Sequence, residues 1–312
     1  MTLNLPDINP ALFTLPAFHL GAMTIGPISV RWYALAYIAG IVLGWYYASR
    51  LLKKTQLWTP RVPPLTTEQL DDFVIWLACG IILGGRIGYI LFYDTSMIWQ
   101  HPLEMVMVQN GGMSFHGGFT GVLIASLLYG RRHKFDLARY LNLGDLLASC
   151  APIGLGFGRL ANFVNGELWG RVTHVPWGMV FCNSYVLKAY NGVCPAGPLP
   201  RHPSQLYEAF GEGLVLFSVL WYLGQGKGQF RRPGLVMGVF IAGYGLIRIL
   251  LENVRNPDAQ MPDFLRHWIT MGMILSLPMV AVGAYLIWNG RRLEATLPPA
   301  APATGEKPEA AA

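Results

Sequence analysis

The sequence predicts an all-α fold: a polytopic membrane helix bundle of about seven transmembrane helices, with the N-terminus outside and the C-terminus in the cytoplasm. Three observations predict it. Of 312 residues, 53% are hydrophobic and only 13% are charged, against roughly 25% charged in an average soluble domain. The apolar residues gather into seven runs of about the length that crosses 30 Å of hydrocarbon, roughly 20 helical residues. Lys and Arg are plentiful in every second loop between those runs and sparse in the others, the bias that marks cytoplasmic loops.

The runs lie at about 28–50, 71–93, 115–130, 143–164, 205–225, 234–253 and 268–289. The third is short, and its start is expected at the interface. Helix is the state that satisfies a lipid-exposed backbone internally, and the strict alternation of a barrel strand is absent. Residues 1–27 hold no Lys or Arg, so the basic region of a cleaved signal peptide is not expected there. They read as an extracytoplasmic or interfacial arm, either a surface helix or an irregular segment. Residues 28–290 form the membrane domain, with an outer loop at 165–204. Residues 291–312, rich in Ala, Pro and Glu, read as a disordered cytoplasmic tail.

Orientation follows from the basic residues. Arg50, Lys53, Lys54 and Arg61 follow the first run, Arg131, Arg132, Lys134 and Arg139 the third, Lys227, Arg231 and Arg232 the fifth, and Arg291 and Arg292 the seventh. The loop at 94–114 has none, and Arg171, Lys188, Arg201, Arg255 and Arg266 are spread over the other two. The net charge of +6 therefore forms no single basic stripe, and nucleic acid is not the expected partner. Cys79 and Cys150 fall in apolar runs and are expected to be small buried residues. Cys182 and Cys194 share the outer loop, where a disulfide is permitted and a free pair equally so. No clustered His and Cys suggests a metal, no nucleotide-binding glycine motif follows a strand, and no cofactor is expected.

Ionisable residues at membrane depth are expensive and need a partner or a function. With this topology Arg31, Tyr33, Arg86, His116, Arg159, Asn162, Glu167, His202, Glu208, Tyr244, Arg248 and Glu252 all fall towards the outer ends of their runs. Tyr244, Arg248 and Glu252 are four apart and Arg159 and Asn162 three apart, so each set shares a helix face. Two readings stand. The residues are structural ion pairs, with Arg86 joined to Glu208 or Glu252, or the arginines collect a phosphate, which guanidinium binds bidentately. The second places a phospholipid headgroup in a polar pocket beneath the outer face. The glycine runs Gly111 to Gly118 and Gly154 to Gly158 bracket the key polar residues and read either as cavity walls or as small-residue helix packing.

The stretch Gly158-Arg159-Leu160-Ala161-Asn162-Phe163-Val164-Asn165-Gly166-Glu167-Leu168-Trp169-Gly170 resembles the signature of the prolipoprotein diacylglyceryl transferases. Arg31-Trp32-Tyr33, Gly84 to Tyr89, Gly111 to Gly118, Arg201 to Glu208, and Gly243-Tyr244-Gly245 with Arg248 resemble the family too, over about residues 20–290. The resemblance implies an enzyme of the bacterial inner membrane. It would transfer the diacylglyceryl group of phosphatidylglycerol to the lipobox cysteine thiol of a prolipoprotein signal peptide, forming a thioether and releasing glycerol phosphate, with its site towards the periplasmic side. Family knowledge maps lipid binding onto Arg159 and activity onto Tyr33, His116, Asn162, Gly170, Tyr244 and Arg248.

Sulfur alkylation needs a base near a thiol of pKa about 8.5 and cations near the departing phosphate oxygen. The candidate catalytic residues are therefore His116, Arg248, Tyr33 and Tyr244, with His116 either the base or a headgroup ligand. The candidate substrate-binding residues are Arg159, Asn162, Glu167, Gly170, Arg86, Glu252, His202 and Glu208. Glu167, Glu208 and Glu252 are expected to orient the arginines. The rival from another class is a phospholipid or organic-anion transporter, against which the lack of internal repeats and the one-sided polar set argue.

Overall fold

The computed structural model describes residues 3–20, 23–25, 28–58, 62–107, 112–256 and 270–296. Each of the seven apolar runs contains a helix, and the elements in order are α1 Trp32–Lys53, α2 Thr67–Phe92, a short α3 Met97–Gln100, α4 Phe115–Arg132, α5 Leu137–Asn165 and a short α6 Ser184–Ala189. One helical segment, Ser204–Gly226, follows. It is built from α7 Ser204–Glu208, π-helical turns Ala209–Val215, α8 Leu216–Trp221 and π-helical turns Tyr222–Gly226. It is followed by α9 Leu235–Leu251 and α10 Met271–Thr296. Five of these, α1, α2, α5, Ser204–Gly226 and Met271–Leu293, are long and apolar enough to cross a membrane, and α9 is a shorter apolar helix. Their outward faces are apolar: Ile38, Ile75, Leu83, Leu250 and Leu277 are all exposed. Water would not tolerate such a surface, whereas lipid covers it. The protein is a multi-pass helical membrane protein.

Helix starts follow local chemistry. Thr66 and Gln69 form a reciprocal capping box before α2, with Thr66 Oγ1 accepting from Gln69 N at 3.2 Å and Gln69 Oε1 from Thr66 N at 3.1 Å. Asp136 Oδ1 accepts from Arg139 N at 2.7 Å before α5. These caps start both helices several residues ahead of their apolar runs. The first run behaves oppositely. Ile28–Arg31 is a strand paired antiparallel with Ala11–Leu15, and α1 begins only at Trp32, so Arg31 is not on a helix.

The described residues divide into two compact units, those up to 48 with those from 145 to 296, and those from 49 to 144. In the smaller, glycines set the packing. A Cβ on Gly88 would lie 2.7 Å from Gly117 Cα, and one on Gly84 would lie 2.9 Å from Gly121 Cα. Backbones of α2 and α4 therefore touch without intervening side chains. This decides the reading of the first glycine run: Gly117 serves helix packing rather than a cavity wall. Cys79, expected to be buried, is exposed on α2, as a lipid-facing apolar side chain can be.

In the larger unit, the segment expected to be a surface helix or irregular arm holds short strands joined by irregular stretches, with no helix among its described residues. Leu3–Asn4 runs parallel to Met179–Val180, and Ala11–Leu15 takes the pairing with Ile28–Arg31. The backbone groups of this arm are satisfied by neighbours, so it needs no helix. Its Leu5 joins Phe181, Val186 and Ala196 in a small core under the outer loop, and Cys182 is bonded to Cys194 across it. Of the disordered tail expected at 291–312, residues 291–296 instead continue α10, and the rest lies outside the described residues.

A buried carboxylate anchors α9. Asp145 on α5 is fully buried, and its two oxygens accept from Gly234 N and Met237 N, both at 2.7 Å. It caps a helix start that has no side-chain cap of its own and faces the positive end of the helix dipole. The sequence reading, which found almost no polar residue at this end of the bundle, passed over it. Asp145→Ala leaves those two N–H groups buried without acceptors. It is expected to lower stability by about 2 kcal/mol, read as a fall in the midpoint of thermal unfolding in detergent; an unchanged midpoint would show the cap to be dispensable.

Candidate active site

Three helix ends of the larger unit meet around one carboxylate. Glu208 lies at the end of α7 and is fully buried. Arg255, just beyond α9, donates from Nη1 to Glu208 Oε1 at 2.7 Å, and Arg248 on α9 donates from Nη1 to the same oxygen at 3.1 Å. Arg159 on α5 brings Nε to 3.2 Å from Glu208 Oε2. Two further carboxylates complete the cluster. Glu212, one turn along in the π-helical stretch, accepts from Arg159 Nε at 3.2 Å. Glu252 Oε2 lies 3.5 Å from Arg248 Nη2 and 3.9 Å from Arg255 Nε.

The cluster is therefore three guanidiniums facing three carboxylates. Each carboxylate is almost wholly removed from solvent, while the arginines keep 12–17% exposure. Burying such charges is costly unless each is paired, and the pairing here is mutual. The arginines are not equally committed. Arg248 uses both terminal nitrogens on carboxylates, whereas Arg159 engages carboxylates through Nε alone. Among the described residues, Nη1 and Nη2 of Arg159 have no partner, and Gly158 beside it borders open space. That is a forked donor available to an anion.

Around this cluster the α5 end turns back on itself. Asn162 Nδ2 and Asn165 Nδ2 donate to Glu167 Oε1 at 2.8 and 3.2 Å. Glu167 was expected to orient arginines; it is held instead by two amides of its own signature. Gly170 N donates to His202 O at 2.9 Å, and a Cβ on Gly170 would sit 2.8 Å from His202 Cβ. Only glycine lets this strand pass so close to 202 and to Val254. Arg171 then donates to the Val254 and Arg255 carbonyls, both at 2.8 Å, which ties the signature loop to the segment carrying Arg255. Tyr33 and Tyr37 on α1 bring their hydroxyls to 3.3 Å, with Tyr37 in electrostatic reach of Arg159 and Glu167. Tyr244 is in similar reach of Arg159, Glu212, Arg248 and Glu208.

The smaller unit holds the other two predicted residues. His116 is exposed on the first turn of α4, with Phe115 at its ring edge. Arg86 is buried and does not pair with Glu208 or Glu252. Its Nε donates to Met105 O at 2.9 Å, Nη1 to Gly112 O at 3.0 Å, and Nη2 to Glu104 O. A guanidinium spent on carbonyls clasps its own loop and has little left for a phosphate.

This arrangement sits within a recognisable sequence. Residues 21–289 match the model of the family described as prolipoprotein diacylglyceryl transferase. The chain belongs to that family. A phosphatidylglycerol–prolipoprotein diacylglyceryl transferase of Phenylobacterium zucineum is 52% identical over 96% of this chain and 98% of its own. Proteins of the same name from Caulobacter vibrioides and Rhizobium meliloti are 52% and 47% identical over 88% and 92% of this chain, covering 92% and 93% of their own.

Within the family signature the sequence reading named Arg159, Asn162, Glu167 and Gly170, and outside it Glu208, Arg248 and Glu252. It missed Glu212 and Arg255. Glu212 could have been found four residues after Glu208, in the same apolar run, and Arg255 seven residues after Arg248, a spacing of two helical turns.

Two outcomes are expected. Glu208→Gln removes the shared counter-charge of three arginines and should destabilise the protein by about 3–5 kcal/mol, measured by unfolding in detergent. His202, outside the helices, is pushed down from its usual value by burial, with Nδ1 3.2 Å from Tyr207 Oη. The folded state then binds fewer protons than the unfolded one, so this contribution is complete above about pH 6.5 and is lost as pH falls through and below it. His202→Gln should flatten the stability profile over that window.

Proposed function

We propose that this protein transfers the diacylglyceryl group of phosphatidylglycerol to the cysteine thiol of a prolipoprotein, forming a thioether and releasing glycerol phosphate. The observation that carries the reading is the convergence of Arg159, Arg248 and Arg255 on buried Glu208, in a chain whose relatives bear the name of that transferase. The transporter alternative is not favoured by those names.

In the proposed reaction His116 takes the thiol proton. The thiolate sulfur forms a bond to the glycerol carbon, and the carbon–oxygen bond to phosphate breaks with its electron pair passing to oxygen. The charge growing on that oxygen is what guanidinium groups stabilise in a water-poor site. Arg159, with its terminal nitrogens open, takes the phosphate first. Arg248 supports it, oriented by Glu208 and Glu252. Tyr33, Tyr244 and Asn162 are assigned to glycerol and ester oxygens. Gly170, Glu167 and His202 hold the loop that frames the site. Arg86 has no part in this scheme.

The location belongs to the same proposal. The loops rich in Lys and Arg face the cytoplasm of a bacterial inner membrane, the N-terminus lies outside, and the arginine cluster opens towards the periplasmic side. The Cys182–Cys194 bond supports this, because disulfides persist in oxidising compartments.

The test is turnover in reconstituted membranes, with labelled phosphatidylglycerol and a lipobox peptide. The wild-type chain should form the thioether, and Arg248→Ala should abolish it; near-normal turnover in that variant removes Arg248 from the site. His116→Gln should lower the rate by about 10²–10⁴ with lipid binding retained, and lost binding instead would make His116 a headgroup ligand.

A further inference from the structure

The buried ion cluster occupies one strip of the contact between the Ser204–Gly226 helix and α9. Beside it, rotated by about one residue on each helix, runs an apolar groove of about 330 Å³. Tyr207, Phe210 and Val215 line it from one helix and Ile247 and Leu250 from the other. Three lining residues adjoin a charged one in sequence: Tyr207 beside Glu208, Gly211 beside Glu212, and Ile247 beside Arg248. The two helices thus offer a charged strip and a greasy one side by side.

Gly211 forms the floor. A Cβ there would lie 2.9 Å from Ile247 Cγ2, so any side chain would push Ile247 into the groove. The π-helical turns Ala209–Val215 cover this same stretch, and such wide turns are commonly found at functional sites. Tyr207 gives the groove a direction. Its ring lines the apolar wall, while its hydroxyl accepts from Trp177 Nε1 at 2.6 Å and meets His202 Nδ1. The Tyr207 end is the polar mouth, and Val215 lies about 12 Å further along the helix by the usual rise per residue.

We infer that this groove holds an acyl chain of the same lipid whose phosphate lies on the arginine cluster, and that Gly211 and Leu250 set which chains it takes. The occupant follows from the adjacency: an amphipathic molecule with an anionic head needs cationic and apolar surface within one chain's turn of each other. The inference rests on the proposed transfer and adds a specificity element to it.

The test compares dioleoyl- and dihexanoyl-phosphatidylglycerol as donors to a lipobox peptide. Leu250 is 70% exposed, so Leu250→Trp fills the groove without disturbing packed core. It should reduce the ratio of kcat/KM for the long donor over the short one by about tenfold or more. Gly211→Ala should shift the ratio in the same direction by less. An unchanged ratio in Leu250→Trp overturns the groove. A phosphatidylglycerol with a mid-chain diazirine should label residues 207–215 or 247–251 of the wild-type protein. Excess dioleoyl-phosphatidylglycerol should suppress that labelling and dioleoyl-phosphatidylcholine should not. Equal suppression by both would mean ordinary surrounding lipid and would overturn the proposal. If wild-type protein made no thioether from either donor, the transfer reading would fail, and the labelling would still decide the groove.

Discussion

The larger unit is organised around the burial of Glu208. A carboxylate with no solvent exposure in an apolar bundle is viable only if positive groups reach it from several directions. Three do, and they come from α5, from α9 and from the segment beyond α9. Each of those backbones must therefore be held at a fixed distance from α7. The supporting features can be read as devices for that: the π-helical turns that carry Glu212 inward, the Arg171 bonds that moor the segment of Arg255, and the Asp145 cap that fixes the far end of α9.

Close helix approach makes the rest possible. In lipid there is no hydrophobic drive between helices, so contact depends on small residues and polar bonds. Gly40 on α1 would place a Cβ 3.0 Å from Gly154 Cα, and Gly213 one 2.8 Å from Gly156 Cα. Both pairs bring neighbours against α5 just before Arg159. The second glycine run thus serves close helix packing, with the backbones at Gly154 and Gly156 met by neighbouring glycines.

Much of this was legible because membranes impose strong rules. Length and hydropathy located every long helix, and helical spacing placed Arg248 on the face of Glu252. What escaped did so for identifiable reasons. Glu212 and Arg255 look unremarkable alone, since their value arises only when a third helix supplies partners. Asp145 sits at the end of an apolar run and reads as a helix terminus, not as the cap of a different helix. Arg86 looked like an ion-pair member because a buried arginine suggests a carboxylate, yet backbone carbonyls of a folded loop satisfy a guanidinium equally well. Leu3–Asn4 of the N-terminal arm pairs with Met179–Val180, far along the chain, which no local pattern reveals.

The charge balance constrains how an anion can bind. Three guanidiniums already face three carboxylates, so a phosphate entering the cluster adds net negative charge to a dry site. It cannot gain by displacing Glu208, because that would strand a buried carboxylate whose partners hold it at 2.7–3.2 Å. It can gain where donors are present without acceptors, and among the described residues that is the terminal fork of Arg159. The carboxylates then serve to aim that fork rather than to compete for it, since both of its contacts to them run through Nε. A site built this way keeps its cations fixed and paired in the absence of lipid. It still presents one unspent bidentate donor at the moment a phosphate arrives.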